Sequence, residues 1–523
     1  MPKWLENAVF YEIYPQSFYD ANGDGIGDLE GIIQKLDYIQ ALGCNAIWLN
    51  PCFDSPFKDA GYDVRDYKKV APRYGSNEDL FRLFEEAHKK GLKVLLDLVP
   101  GHTSEEHEWF QKSKTAAPNE YSNRYIWSDS WISWGLDGFR FIAGEAERNG
   151  VYIVNFFKCQ PALNYGVLNP WQPWQLPPDH SECIATREAL KDIMRFWLQG
   201  DKGRGCDGFR VDMADSLVKN DDPVKSATAK IWRNIREMLD AGFPEAALIS
   251  EWSSPGLSIP AGFHADFLLD HEGSGYKSLV RDYKLDGENR VTGPNNSFFK
   301  KDGAGDICRF LAQYMPWYED TKNAGYISLI TGNHDTPRIR VGLDPSELAL
   351  AYAFLFTMPG VPFLYYGDEI GMRHLNPPTK EGGYTRTGAR TPMQWSKGKN
   401  MGFSAAAADR LYLPVDTGPG APSVEAQEAD PRSLLATVKA LLRLRRSEPD
   451  LQARPNLEIL YAEQGRLPFV YRRGAFIIAL NPGGAPAEAA LQAQGRPVYA
   501  IGGCSLDEGR CRMEGQSFGI WKV

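Results

Sequence analysis

The sequence predicts an α/β protein built on a (β/α)8 TIM barrel, with a small domain inserted after the third strand and an antiparallel β domain at the C-terminus. Three observations lead to this fold class. Eight short apolar runs rich in β-forming residues alternate with longer segments of helical period up to residue 369. The interval between the third and fourth runs is the longest, and the chain changes to short strand-like runs after residue 451.

The eight strand candidates are short and apolar, as buried parallel strands are. The helical segments between them, such as LEGIIQKLDYIQALG and NEDLFRLFEEAHKKG, often end at glycine, as helices do. We therefore expect a barrel from residues 1–100 and 167–451, an inserted domain at 101–166 and a C-terminal β domain at 452–523. The strand candidates are residues 9–15, 46–52, 93–100, 207–213, 246–252, 264–270, 326–335 and 361–369.

The composition is that of a globular protein, and the charge narrows the class of partner. The hydrophobic fraction is 43% and the charged fraction 24%, which argues against large-scale disorder. A net charge of −9 disfavours a nucleic-acid partner, because phosphate binding needs a basic surface. A neutral small molecule such as a sugar is the expected partner, and the oligomeric state is left open.

Cysteine usage and the N-terminal residues predict a cytoplasmic setting. The eight cysteines form no C-x-x-C pair, so neither a zinc site nor a redox motif is indicated. The first residues, MPKWLENAVFYEIYP, lack the basic and apolar regions of a secretion signal. No run approaches the roughly 20 apolar residues of a membrane span, so we expect no membrane partner.

Polar side chains, most of them acidic, stand at the carboxyl ends of the predicted strands, where TIM barrels carry their active sites. Each alone could be a structural charge or a helix cap, but crowded like charges cost stability, which favours a functional cluster. Glycoside hydrolysis requires such a cluster, with an ionised carboxylate as nucleophile and a protonated carboxyl group as acid. In strand order the residues are Asp97, His102, Arg210, Asp212, Glu251, His334 and Asp335.

Four segments at these strand ends resemble the signature motifs of the α-amylase superfamily, glycoside hydrolase family 13. They are DLVPGHTS (97–104), GFRVDMAD (208–215), ISEW (249–252) and TGNHD (331–335). The resemblance covers essentially the whole chain. It implies Asp212 as nucleophile, Glu251 as general acid and base, and Asp335 as the carboxylate that grips and distorts the sugar. The residues implied to line the same glucose subsite are His102, Arg210 and His334.

Within the superfamily the chain is most similar to the oligo-1,6-glucosidase and α-glucosidase group. The segments that carry this similarity are YEIYPQSF, GYDVRDY (61–67), CQPALN (159–164) and ARTPMQW (389–395). The resemblance implies that Asp63 and Arg386 close the pocket around a terminal glucose and that Tyr62 stacks on its ring. Tyr62 could instead be a core aromatic at a strand end. A closed pocket implies a retaining, exo-acting α-glucosidase that hydrolyses terminal α-linked glucose from short oligosaccharides or disaccharides.

A loop near the N-terminus, DANGDGIGD (20–28), fits the first half of a calcium loop. Its twelfth position is Gly31 rather than Glu, so it is not an EF-hand. The resemblance to oligo-1,6-glucosidases implies a structural Ca²⁺ here, and a hydrogen-bonded turn without metal is the alternative. The expected ligands are Asp20, Asn22, Asp24, the Ile26 carbonyl and Asp28.

Three positions depart from the family pattern. Gly101 stands where an Asn usually precedes the His, so we expect no calcium ion between the barrel and the inserted domain. Ala162 replaces the Asp of the QPDLN motif. Met213 follows the nucleophile, where Val is associated with α-1,6 and Ala or Thr with α-1,4 preference. The sequence therefore leaves the linkage open.

Two other functions use the same barrel. A transglucosidase, such as a sucrose isomerase or a trehalose synthase, would share the covalent glucosyl intermediate and pass glucose to a sugar. The chain lacks the RLDRD-like segment of sucrose isomerases, which favours hydrolysis. A non-catalytic binding module is disfavoured because all three carboxylates, Asp212, Glu251 and Asp335, are present.

Overall fold

The centre of the molecule is a sheet of eight parallel strands, β1 to β8 in chain order, in a computed structural model that describes residues 1–129, 139–382 and 384–523. Each strand lies within one of the eight predicted runs, so the predicted barrel is confirmed. The strands are Phe10–Ile13, Ala46–Leu49, Lys93–Leu98, Gly208–Val211, Ala247–Ser250, Ala265–Phe267, Tyr326–Ser328 and Phe363–Tyr365.

The sheet closes on itself. Neighbouring strands pair in the order β7, β6, β5, β4, β3, β2, β1, β8. A parallel bridge between Ile330 and Phe363 then joins the end of β7 to β8 and completes the ring. All four residues of β1, β2, β4 and β5 are buried, because helices cover the outer face and side chains fill the interior.

Amphipathic helices cover the barrel. In α3, Leu80, Leu83, Phe84 and Ala87 recur at helical spacing on the buried face, and a capping box between Ser76 and Asp79 begins the helix. The helices α1 to α12 are Leu29–Gln34, Leu36–Leu42, Asn77–Lys89, Glu108–Ser113, Ser181–Gln199, Ser226–Gly242, Pro255–Ser258, Lys277–Val280, Ile307–Thr321, Pro345–Thr357, Val424–Glu428 and Leu434–Ser447.

A long excursion separates β3 from α5, in the region where an inserted domain is predicted. It contains α4 and a short antiparallel pair, Phe141–Ile142 with Tyr152–Ile153. Residues 130–138 of the predicted domain lie outside the described residues, and its predicted boundaries stay a prediction. Two more short antiparallel pairs occur in barrel loops, Phe53–Asp54 with Asp66–Val70 and Lys284–Leu285 with Val291–Thr292.

The C-terminal residues form two antiparallel sheets. The larger has the order β9, β10, β11, β16, β13, and the smaller has the order β12, β15, β14. Arg473 on β10 is buried and donates a hydrogen bond to the carbonyl of Thr357, at the end of α10, so the sheets are anchored to the barrel. Strands β9 to β16 are Leu457–Tyr461, Phe469–Arg473, Phe476–Asn481, Ala487–Ala490, Arg496–Ile501, Cys504–Asp507, Arg510–Met513 and Ser517–Lys522.

All eight cysteines, each within the described part of the chain, are free thiols. No helix among the described residues combines the length and the apolar character that crossing a membrane requires.

Candidate active site

A pocket of about 310 Å³ opens at the carboxyl ends of the barrel strands. Asp212 follows β4, Glu251 follows β5 and Asp335 lies on the loop after β7, and all three line this pocket. The fold therefore brings together in one pocket the three carboxylates that we selected from the sequence. Tyr62, His102 and Arg386 line the same pocket, whereas Arg210 and His334 lie buried beneath it.

Arg210 links the carboxylates at the floor of the pocket. Its guanidinium lies 2.8 Å from Asp97 Oδ1, 2.7 Å from Glu251 Oε2 and 3.3 Å from Asp212 Oδ1. Asp97 also accepts hydrogen bonds from Tyr62 and from Trp48, at 2.9 and 3.0 Å. One buried cation thus lies against two buried acids, Asp97 and Asp212, and the partly buried Glu251, which is the pairing that buried charges require.

Burial and crowding shift the protonation of these acids. Burial, followed by the charge of Glu251, raises the pKa of Asp212 well above its ordinary value, against the opposing effect of Arg210. Burial likewise raises the pKa of Asp97 to about 6, although Arg210 opposes it. The Arg210 guanidinium lies closer to Glu251 than to Asp212. Burial and the crowding of carboxyl groups around Arg210 therefore favour retention of a proton within the cluster.

Two arginines and a histidine surround Asp335. Arg386 Nη1 and Arg390 Nη2 each donate to Asp335 Oδ1 at 2.8 Å, and His334 Nε2 lies 3.5 Å from Asp335 Oδ2. Burial alone would raise the pKa of Asp335, but His334, Arg386 and Arg390 outweigh it, so this pKa lies far below its ordinary value. Asp335 is thus held ionised, as a carboxylate that accepts hydrogen bonds from sugar hydroxyls must be.

A carboxyl group on the first strand orients His334. Glu12 Oε1 lies 2.9 Å from His334 Nδ1, and both side chains are fully buried. The other ring nitrogen then faces Asp335. Burial raises the pKa of Glu12 and lowers that of His334 to about 3. Glu12 was not selected from the sequence, although it lies in the YEIYPQSF segment that carried part of the resemblance.

His102 is held by its own set of contacts. Its Nε2 lies 3.1 Å from the Tyr62 carbonyl, and its Nδ1 lies 3.2 Å from Asn155 Nδ2. A Cβ at position 101 would lie 2.6 Å from Asn155 Nδ2. Glycine at this position, where the family usually has Asn, therefore leaves room for Asn155 to contact His102. The ammonium of Lys219 donates to Asn155 Oδ1 at 2.9 Å and so fixes the amide that contacts His102.

The predicted pair of Asp63 with Arg386 is wrong. Asp63 is fully buried, and its carboxylate accepts hydrogen bonds from Ser55 Oγ and from the amides of Lys58 and Asp59, which close the loop. Asp59 lines the pocket instead, with its Oδ1 3.6 Å from Arg386 Nη2. Burial raises the pKa of Asp59 to about 6, with Arg386 opposing the shift.

Tyr62 lies at the wall of the pocket, against His334. Its ring stacks on the His334 imidazole with centroids 5.2 Å apart, and it lines the pocket with 6% of its surface exposed. One face is therefore used for packing within the protein. The predicted stacking on a sugar stays a prediction.

Backbone strain occurs next to both catalytic candidates. Met213, directly after Asp212, has φ 42°, and Ser253, two residues after Glu251, has φ 57°. Such conformations are unfavourable for residues with side chains and cluster at functional sites. The strained turn lets the Met213 amide donate to Glu251 Oε2 at 3.1 Å. Asp266 accepts hydrogen bonds from the amides of residues 252, 253 and 254 and so holds the loop after Glu251.

Several pocket residues were not found from the sequence. They come from loops after β3, β4, β5 and β6. Gln160, Met213, Asp215 and Trp252 lie in motif segments that we had noted, although none was chosen as a site residue, whereas Phe156, Leu269 and His271 lie outside those motifs. The residues are Phe156, Gln160, Met213, Asp215, Trp252, Leu269 and His271.

The loop at residues 20–28 offers oxygen donors of the kind that Ca²⁺ prefers. Its carboxylates also bond the chain itself: Asp20 accepts from the amides of Gly23 and Gly25, and Asp28 accepts from those of Ala21, Asn22 and Gly31. Among the described residues, no three Asp, Glu, His or Cys side chains converge into a group that could hold a metal ion. The donor types suit Ca²⁺, but the loop is closed by its own hydrogen bonds. Calcium binding stays a prediction.

Comparison with known proteins gives one family. The model of the alpha amylase catalytic domain matches residues 12–453. Trehalose synthase/amylase TreS of Mycobacterium tuberculosis is 33% identical over 494 residues, which cover 86% of this chain and 76% of the relative. The oligo-1,6-glucosidase of Heyndrickxia coagulans is 30% identical over 540 residues, which cover 90% of each chain.

Solved structures give the same fold. The trehalulose synthase MutB from Pseudomonas mesoacidophila MX-45 superposes with a TM-score of 0.79 and covers 100% of both chains. Its sequence identity is 23%, so this likeness concerns the fold alone.

Proposed function

Because the chain belongs to the α-amylase family and is a glycoside hydrolase, we propose that it is a retaining, exo-acting α-glucosidase that removes terminal α-linked glucose from short saccharides. The observation that carries the proposal is the charged wall of the pocket. Asp335, Arg386 and Asp59 form a chain of contacts at 2.8 and 3.6 Å. A partly buried ion-pair chain cannot open for a polymer without losing several interactions at once, so one end of the substrate must stop there.

In this proposal Asp212 and Glu251 divide the chemistry. Asp212 attacks the anomeric carbon, and Glu251 donates its proton to the departing glycosidic oxygen, which leaves a glucosyl ester on Asp212. Glu251 then takes a proton from water, which attacks the same carbon and releases α-glucose and the free Asp212 carboxylate. The contacts of Arg210 with both carboxyl groups, and of the Met213 amide with Glu251 Oε2, hold the two groups in place for these roles.

Asp335 and the residues around it act on the glucose ring. The cations that keep Asp335 ionised make it a strong acceptor for the sugar hydroxyls. Asp59 and Arg386 would bind the far side of the terminal glucose. We also propose that Ca²⁺ binds the loop at residues 20–28, where it would tie the loop together and take no part in catalysis, and that the protein works in the cytoplasm.

A second candidate is a transglucosidase that passes the glucosyl group to a sugar instead of water. A 33% identical relative named trehalose synthase/amylase favours it. The leaving-group side of the pocket is also lined by Phe156, Met213 and Leu269, which disfavour free water.

The test is product analysis on sucrose, maltose, isomaltose, trehalose and soluble starch. The proposal expects free glucose from at least one disaccharide and little cleavage of starch. Isomerised disaccharide as the main product would favour the transglucosidase. Long oligomers from starch would contradict the closed pocket.

A further inference from the structure

A second cavity, of about 200 Å³, adjoins the active-site pocket. Leu269 and His271 line both spaces and so form part of the wall between them. The second cavity extends to Ser253, Ser274 and Trp317. No step of the proposed hydrolysis uses it.

The position of this cavity corresponds to the leaving-group side of the reaction. Leu269 and His271 follow β6, which pairs with β5, the strand that ends next to Glu251. In the closed ring of eight strands, β6 lies across the barrel from β2, whose loop carries Asp59 at the glucose end. Glu251 protonates the departing oxygen, so the departing sugar lies between Glu251 and this cavity.

The lining of the cavity suits a sugar. Trp317 on α9 is half-buried and supplies a flat aromatic face, while Ser253, Ser274 and His271 supply polar groups. A pyranose ring presents an apolar face and a rim of hydroxyl groups, so it needs this combination of an aromatic surface and hydrogen-bonding groups.

The cavity wall is preorganised by hydrogen bonds. The Leu269 amide donates to Ser253 Oγ at 2.9 Å, and the Gly275 amide donates to Gln313 Oε1 at 2.7 Å. These two bonds tie the loop after β6 to the loop after Glu251 and to α9. A wall held in this way loses little conformational freedom when a ligand binds.

We propose that this cavity binds the second sugar unit of the leaving group, so that the enzyme prefers α-linked glucose chains of three or more units over disaccharides. The inference rests on the proposed function for the direction in which the substrate lies. Trp317 is the specificity-determining residue of this site.

The test compares binding of a disaccharide and a trisaccharide to the Asp212→Asn protein by calorimetry. Maltose with maltotriose and isomaltose with isomaltotriose are both used, because the linkage is open. For the linkage that binds, the third unit should tighten binding about tenfold, the scale on which an aromatic anchor contributes to a site. Adding Trp317→Ala should remove that gain, and Trp317→Phe, which keeps a flat ring, should retain most of it.

A kinetic series gives the same comparison in the active enzyme. Trp317→Ala should lower the ratio of trisaccharide to disaccharide kcat/KM by about tenfold. Trp171→Ala is the matched control, because Trp171 is an exposed tryptophan outside both cavities, and it should leave the ratio unchanged.

The outcomes separate the two proposals. Equal binding of di- and trisaccharide, or a gain that survives Trp317→Ala in a folded protein, would overturn the second-unit site. Failure of the α-glucosidase proposal would appear in the parent enzyme as absence of free glucose from every substrate. The binding comparison does not depend on hydrolysis, so it decides the site in either case.

Discussion

Arg386 Nη2 lies 3.6 Å from Asp59 Oδ1 in the wall of the active-site pocket. The same guanidinium donates to Asp335 Oδ1 at 2.8 Å, so Asp59 is joined through Arg386 to a carboxylate expected to hold the sugar. Asp63, four residues further along the chain, faces its own loop and accepts three hydrogen bonds there. The two acids of one segment therefore have different roles.

Exchanging each acid for its amide should separate binding from stability. Asp59→Asn should lower kcat/KM on the preferred disaccharide roughly tenfold or more, because Arg386 loses a charged partner in a partly desolvated site. Asp63→Asn should instead lower the free energy of unfolding by about 1–3 kcal/mol, because an amide nitrogen then faces hydrogen-bond donors. Kinetics and thermal unfolding of both variants check this. The reverse pattern would restore Asp63 to the pocket.

The protonation of Asp59 should make kcat/KM depend on pH. Burial raises the pKa of Asp59 to about 6, so the carboxylate is ionised above that pH and neutral below it. The pair with Arg386 is therefore lost as the pH falls, and kcat/KM should fall through about pH 6. Asp97 titrates in the same range, so the comparison is between profiles of the parent and of Asp59→Asn. The acid limb should flatten in the variant, and identical profiles would contradict the assignment.

The sequence predicted the barrel and the three carboxylates that line one pocket, but not the other residues around that pocket. Eight largely apolar runs were sufficient for the strands, because strands covered on both faces are mostly apolar. Asp212 and Glu251 were selected because they stand at the carboxyl ends of predicted strands. The choice between Asp59 and Asp63 depends on how one loop turns, and both are acids in the same segment. The second cavity arises where Trp317 on α9 meets a loop after β6, a contact between distant segments that no local pattern records.

Removal of the nucleophile should abolish hydrolysis without unfolding the protein. Asp212→Asn preserves size while deleting the attacking oxygen anion, so kcat should fall by roughly four orders of magnitude or more. The measurement is kcat on the preferred disaccharide, with circular dichroism and thermal unfolding as controls for the fold. Activity within tenfold of the parent would rule out Asp212 as nucleophile.

Replacing the acid should give a different dependence on the leaving group. Glu251→Gln cannot protonate the departing oxygen, so a disaccharide should be cleaved orders of magnitude more slowly. With a p-nitrophenyl α-glucoside, the rate of the first step should fall less, because nitrophenolate departs without a proton. Burst and steady-state kinetics on both substrates test this. Equal losses on the two substrates in the first step would argue against Glu251 as the acid.

Hydrolysis should release glucose with the α configuration. Two displacements at one carbon, first by Asp212 and then by water, invert it twice and so retain its configuration. Proton NMR of a fresh reaction follows the anomers before they interconvert. An initial signal from the β anomer would exclude a covalent intermediate on Asp212.

Metal removal should lower stability and leave catalysis unchanged at low temperature. A Ca²⁺ ion bound only by the folded protein stabilises it by about 2.7 kcal/mol at 100 times its Kd. Chelation should therefore lower Tm, while activity at 25 °C persists because the loop at residues 20–28 carries no pocket residue. Asp24→Asn is the matched variant, since among the described residues the exposed Asp24 carboxylate accepts a hydrogen bond from the Ile26 amide alone, so loss of its charge should mainly affect the proposed metal. Chelator should shift Tm less in this variant than in the parent. An unchanged parental Tm, together with elemental analysis that finds no calcium, would establish that the loop is a hydrogen-bonded turn.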